Sequence, residues 1–262
     1  MCLPAIIEHV IAHLGPADRA SGGGSNSRAT VLPTRFTRVT DLTHPLTEDF
    51  PSANGEQWVA SEDFLTFAEH SINFRRWSIH EHIGTHIDAP LHFSENGDSV
   101  DQIPVSRLVV PLSVIDISAR AADSADTELT PDDIRLWEAR HGEVPEGACV
   151  AMNSGWDSGA TGPGYRNLGE DGAMHFPGFH TETAAMLLEE RNVTGIGVDT
   201  LSIDTGRSTE FPVHRLILPS GRWAVEGLAN LASLPPSGAT IVVGAPTLVG
   251  GTGGPSRILA LM

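Results

Sequence analysis

The chain has 262 residues, 33 Asp and Glu against 16 Lys and Arg, and a formal net charge of -17; all sixteen cations are arginines, which excludes Schiff-base, pyridoxal-phosphate-type and phosphate-loop lysines. So acidic a chain lacks the basic footprint that nonspecific binding to nucleic acid or an anionic membrane requires, and no stretch reaches the roughly 20 apolar residues of a spanning helix. With 40% hydrophobic and 19% charged residues, it reads as a globular protein long enough to bury a substantial core.

From the N-terminus, MCLPAIIEHVIAHLGP places Ile6, Val10, Ile11 and Leu14 at helical spacing, while Glu8, His9 and His13 interrupt the apolar run and no cation opens it. That spacing predicts a short amphipathic helix rather than a secretory signal. Residues 16–30, rich in Gly, Ser and Ala, read as a flexible linker, setting residues 1–36 apart from a domain over 37–262. The apolar stripe of residues 1–15 has nothing nearby to cover and is expected to cross to another subunit. β-branched or alternating runs predict strands at 36–42, 74–79, 108–117, 148–152, 193–198, 223–225 and 239–243. Helices are predicted at 130–140, where Thr130 and Pro131 open a first turn rich in acids, and at 180–191, where Thr and Glu precede an apolar stripe. Strands outnumber helices, so the expected fold class is α/β, of the mixed α+β kind with one sheet-rich core. Cys2 and Cys149 are too few and too far apart for a disulfide framework or a cysteine-rich zinc site, which fits a cytoplasmic protein.

Twelve histidines are an unusual number, and four of them (His80, His82, His86, His92) fall within S-I-H-E-H-I-G-T-H-I-D-A-P-L-H-F, residues 78–93. On an extended chain His80, His82, His86 and Asp88 share one face and Ile79, Ile83 and Ile87 the other. Packing gives no reason to gather so many polar groups on one side of an apolar strand; imidazoles with a carboxylate are the donors that Zn²⁺, Mn²⁺ or Fe²⁺ take at a catalytic site. Gly84 permits a close approach or an unusual backbone angle. Pro90 is expected to end the strand ladder and turn His92 away from the row, and a histidine beside a metal without binding it is placed to move protons. His80 is assigned a structural or supporting role, as are Asp199 and Asp204 beside later apolar strands, where a carboxylate needs hydrogen-bond partners. The stretch Gly250-Gly-Thr-Gly-Gly-Pro lacks a following helix and a lysine, and so reads as a tight turn rather than a phosphate loop.

The histidine stretch resembles the H-x-G-T-H-x-D-x-P-x-H signature of the cyclase family, which includes bacterial kynurenine formamidase and isatin hydrolase. Asp41-Leu-Thr-His-Pro-Leu is similar to that family's first strand and turn. Gly195-Ile-Gly-Val-Asp199, Phe211-Pro-Val-His214-Arg, Glu226-Gly-Leu-Ala-Asn-Leu and the tail Gly-Pro-Ser-Arg257 are similar to later blocks in the same order. The resemblance implies a swivelling β/β/α domain. It also implies a binuclear centre in which His82, His86 and Asp88 bind one metal, while Asp88 bridges to a second held by His214 and Glu226. The same resemblance makes His92 the proton carrier. The ions implied are zinc or manganese, two per subunit, and the assembly a homodimer or homotetramer.

On that basis the expected activity is hydrolysis of a C–N amide bond in a small aromatic molecule, either an aryl formamide or a cyclic amide. Cyclisation, dehydration or lactone hydrolysis with the same metals is the alternative, and a noncatalytic metal-binding protein a third reading. Kynurenine formamidases carry Trp-Pro-Gly shortly after the first strand, where this chain has Phe50-Pro-Ser-Ala-Asn-Gly. The run WEARHGE is similar to the isatin-hydrolase side, which can depart from the pattern at the late glutamate that this chain keeps as Glu226. Phe50, Phe74, Trp77, Trp156 and Phe179 are the candidate aromatic residues for the substrate-pocket wall.

Overall fold

The computed structural model describes residues 36–160 and 162–262; the helix and linker expected within residues 1–30 lie outside them. In chain order the strands are β1 (Val39–Asp41), β2 (Val59–Leu65), β3 (Phe74–Ile79), β4 (His86–Asp88), β5 (Val109–Asp116), β6 (Glu128–Leu129), β7 (Cys149–Asn153), β8 (Gly178–Phe179), β9 (Gly195–Val198), β10 (Trp223–Glu226), β11 (Ala239–Gly244), β12 (Gly253–Pro255) and β13 (Arg257–Leu261). The α-helices are α1 (Phe67–His70), α2 (Ser118–Asp123), α3 (Pro131–His141), α4 (Thr181–Glu189) and α5 (Pro212–Ile217).

Nine strands form one mixed sheet in the order β1-β13-β11-β5-β7-β9-β10-β4-β12. The central pairs from β5 to β10 are parallel and the flanking pairs antiparallel. Burial accounts for this division. β7 and β9 are buried along their whole length, as strands covered on both faces must be. Val150 and Met152 of β7 join a core cluster with Ile134 and Trp137 of α3 and Leu187 of α4, whereas Cys149 and Ala151 join a second cluster with Leu112, Trp223 and Ile258. The expected helices are present as α3 and α4. Thr130 and Asp133 close a capping box at the start of α3.

One expectation is met outside the main sheet, and another is corrected. The run 74–79 forms β3 but stays outside the main sheet, pairing with β2 in a separate two-stranded ribbon. The continuous extended row from His80 to Asp88 does not form either. Only His86–Asp88 is strand, and residues 81–85 bend. Gly84 takes φ 65°, while the Thr85 hydroxyl donates to the Gly227 carbonyl and accepts the His44 amide. These contacts hold the bend against the end of β10.

Candidate active site

Strand register builds the centre of the site. β4 runs antiparallel to β10 with His86 opposite Glu226, Ile87 opposite Val225 and Asp88 opposite Ala224. Ile87, Val225 and Trp223 enter the second core cluster, so His86, Asp88 and Glu226 share the other face of the sheet. Truncating a buried tryptophan such as Trp223 costs about 3–5 kcal/mol, and that anchorage fixes β10 and hence Glu226.

His214 comes from the first turn of α5. Asp204 accepts the Val213 amide at 2.9 Å and the His214 amide at 3.1 Å, and also takes His214 Nδ1 at 2.7 Å. One carboxylate thereby satisfies the helix N-terminus and aims the imidazole. His214 Nε2 then lies 3.4 Å from Asp88 Oδ2 and 3.3 Å from Glu226 Oε1. His86 donates from Nδ1 to the Gly84 carbonyl at 2.9 Å, which leaves its Nε2 3.4 Å from both Asp88 Oδ1 and Glu226 Oε2. His82 arrives from the bend with Nδ1 2.7 Å from Asp88 Oδ1.

Pro90 opens a single 3-10 turn, Pro90–Phe93, instead of turning the chain away. His92 is folded back by this turn so that its ring stacks on His82 with centroids 3.9 Å apart. His80 stands apart from the cluster, stacked on Trp58 at 5.0 Å.

Burial opposes a charge on His86, but Asp88 and Glu226 outweigh it and raise its pKa to about 9. Burial likewise opposes charge on His214, and Asp204, Asp88 and Glu226 hold it well above the usual imidazole range. Asp88, although buried, is drawn well below the usual carboxylate range by His214, His82 and His86. His92 goes the other way: burial, against the attraction of Asp88 and with help from the neighbouring histidines, lowers it to about 4. A field that draws protons onto buried imidazoles also draws a cation. His86 Nε2 and Asp88 Oδ2 are buried without a hydrogen-bond partner, although such orphans are costly. The donors fall into two groups, His82 with Asp88 and His92, and His86 with Asp88 and Glu226. A divalent ion fits this set. The grouping differs from the one the resemblance implies, because His86 sits with Glu226 across the strand pair and His82 sits with His92.

Beside the cluster opens a cavity of about 350 Å³ walled by Trp58, Phe93, Met174, Phe176, Leu201 and Phe211. The aromatic residues expected at this wall are elsewhere. Phe50 is buried against His44 and Tyr165, and Phe179 lies in the main core. Trp156 packs beside Tyr165 and donates its indole N–H to the Tyr165 carbonyl. Phe74 and Trp77 stand exposed on the β2–β3 ribbon. Phe93 and Phe211 were findable by adjacency, one following His92 and the other preceding Pro212-Val-His214. Nothing local marks Trp58 or Phe176.

A sequence model of the Cyclase family matches residues 40–205. The chain belongs to the cyclase family. Isatin hydrolase of Roseibium aggregatum is 37% identical over 191 residues, covering 70% of this chain and 72% of that protein. Kynurenine formamidase of Salinibacter ruber is 27% identical over 217 residues, covering 81% and 91%. Among solved structures, an isatin hydrolase bound to the product analogue thioisatinate superposes with a TM-score of 0.81 at 30% identity, covering 86% of this chain and 92% of that one. This cyclase-family chain is an enzyme, a metal-dependent hydrolase of amide bonds with the mixed α/β fold of those structures.

Proposed function

We propose that the substrate is a compact, neutral aromatic cyclic amide of the isatin type, opened by water at its C–N bond. The cavity wall carries this reading. Outside the donor cluster its described lining is aromatic and aliphatic, with the Ser202, Thr205 and Ser208 hydroxyls as polar groups and no charged side chain. A planar uncharged ring is stabilised by such walls. A formyl amide of kynurenine brings an amino-acid ammonium and carboxylate that this wall leaves without partners, at the desolvation cost of unpaired charge.

The proposed centre would take two divalent ions, zinc or manganese, held by His82, His86, Asp88, His214 and Glu226. Such ions supply Lewis acidity, lowering the pKa of a water and polarising a carbonyl. The chain's residues supply the rest. Gly84 and Asp204 aim His86 and His214. Phe93 and Phe211 flank His214 with ring centroids 4.7 and 5.8 Å away and shield that side of the cluster from water. His92, neutral at physiological pH, takes a proton at the attacking water and returns it to the departing nitrogen. The reading extends to a cytoplasmic homodimer or homotetramer; among the described residues no helix is long and apolar enough to cross a membrane.

The test is turnover against cyclic aryl amides, aryl formamides and lactones, with zinc and with manganese. Isatin should react fastest and yield a product heavier by one water. Undiminished turnover after chelation would sink the metal-dependent mechanism, and faster cleavage of the kynurenine formyl amide would reverse the choice of substrate.

A further inference from the structure

The glycine-rich segment after β11 is more than a turn. Thr252, at the centre of Gly250-Gly-Thr-Gly-Gly, reaches the donor cluster from the far end of the chain. Glu81 Oε1 accepts the Thr252 amide at 3.2 Å, and Glu81 Oε2 accepts the Thr252 hydroxyl at 2.6 Å. With its proton committed to a carboxylate, Thr252 Oγ1 can only accept from His82 Nε2, which lies 2.8 Å away. A hydrogen therefore sits on Nε2 of His82, and the contact left to Nδ1 is the one with Asp88 Oδ1 at 2.7 Å.

Close approach makes this possible. A Cβ on Gly251 would meet Glu81 Oε1 at 2.8 Å, and one on Gly253 would meet the His82 ring at 2.8 Å and crowd the Ile87 carbonyl. The loop is held from both sides: its Thr252 carbonyl accepts the Ala89 amide at 2.9 Å, and its Gly251 carbonyl accepts the Val100 amide at 2.9 Å. β12, which follows at once, pairs with β4 and places Gly253 opposite Asp88.

We propose that Glu81 and Thr252 are positioning residues that hold a hydrogen on His82 Nε2, so that Nδ1, beside Asp88, is the nitrogen a divalent cation takes. Without the carboxylate, the threonine hydroxyl is free to donate to Nε2, the imidazole hydrogen moves to Nδ1, and a hydrogen then points where the cation belongs. The inference rests on the metal-binding reading of the cluster, so two readouts are needed.

In the full-length chain stripped of metal, nitrogen NMR of the imidazoles at mildly alkaline pH reports whether His82 Nε2 carries a hydrogen. Nε2 should carry a hydrogen in the parent and in Thr252→Ser, and should lose it, leaving Nδ1–H alone, in Glu81→Gln and Thr252→Val. Competition of Mn²⁺ or Zn²⁺ against a chromophoric chelator should show affinity falling roughly 10–100-fold in Glu81→Gln and Thr252→Val, with Thr252→Ser close to the parent. A retained Nε2 hydrogen or parent-like cation affinity in Glu81→Gln overturns the inference alone. A parent chain that binds neither ion overturns the metal reading with it.

Discussion

Asp88 is where the donors meet: Oδ1 faces His82 and His86, and Oδ2 faces His214. Removing it takes away the group shared by both donor clusters, so Asp88→Ala should lose bound metal and turnover together. His92 touches the cluster differently, by stacking on His82 and keeping a low affinity for protons. His92→Ala should keep metal content near the parent's while turnover falls roughly 10²–10⁴-fold, the usual worth of a positioned proton-transfer group. Metal analysis of the purified variants beside initial rates checks both; metal loss in His92→Ala would make it a ligand rather than a proton carrier. The sequence exposes these residues unequally. His86-Ile-Asp88 is a local alternation, readable from period two alone. Glu226 becomes a partner of His86 only through the β4–β10 register, which no local pattern encodes, and without the resemblance it is one more acid at a strand end. Glu81 and Thr252 are 171 positions apart, and what unites them is a loop whose glycines let backbone approach side chain.

At the scale of elements, the strands legible in advance are those whose burial is one-sided or continuous, such as β5, β7 and β11. β4 and β12 are three-residue strands defined by neighbours, and the bend before β4 depends on contacts with β10 that lie far along the chain. Asp199 ties two of the central elements together. It follows β9 directly and accepts the Ser154 amide and hydroxyl and the Trp156 amide, at 2.9, 2.6 and 3.1 Å, from the chain leaving β7. Burial still dominates these contacts and raises its pKa from 3.8 to about 6. The folded state therefore keeps a proton that the unfolded chain gives up, so this group's contribution is full below about pH 4 and is lost as the pH rises through about 6. The difference amounts to about 3 kcal/mol. Denaturant unfolding of the parent and of Asp199→Asn across that range isolates it from the other carboxylates. The parent's stability relative to the variant should fall as pH rises from 4 to 7, and a level difference would show that Asp199 ionises like an ordinary aspartate.

At the scale of the molecule, one region gathers six exposed large apolar side chains. The β2–β3 ribbon and α1 leave Phe64, Phe67, Ile72, Phe74, Trp77 and Ile79 between 41% and 64% exposed. A two-stranded ribbon is marginal on its own, and a cluster of exposed aromatics marks an interaction surface. Charge favours a second copy of this chain as the occupant. The molecule as a whole carries -17, which opposes self-association, but on the ribbon Arg75 pairs with Asp63 at 2.8 Å and Arg76 with Glu62 at 2.7 Å, so this patch is locally balanced. Two acidic chains meeting there would bring paired rather than uncompensated charges together. The ribbon also leads to the cavity, because His80, next after β3, stacks on the cavity-wall residue Trp58. Light scattering of the parent should give a dimer or tetramer, and the pair Phe74→Asp with Trp77→Asp should give a monomer that keeps its metal. A monomeric parent, or a double variant of unchanged size, would remove the ribbon from the assembly.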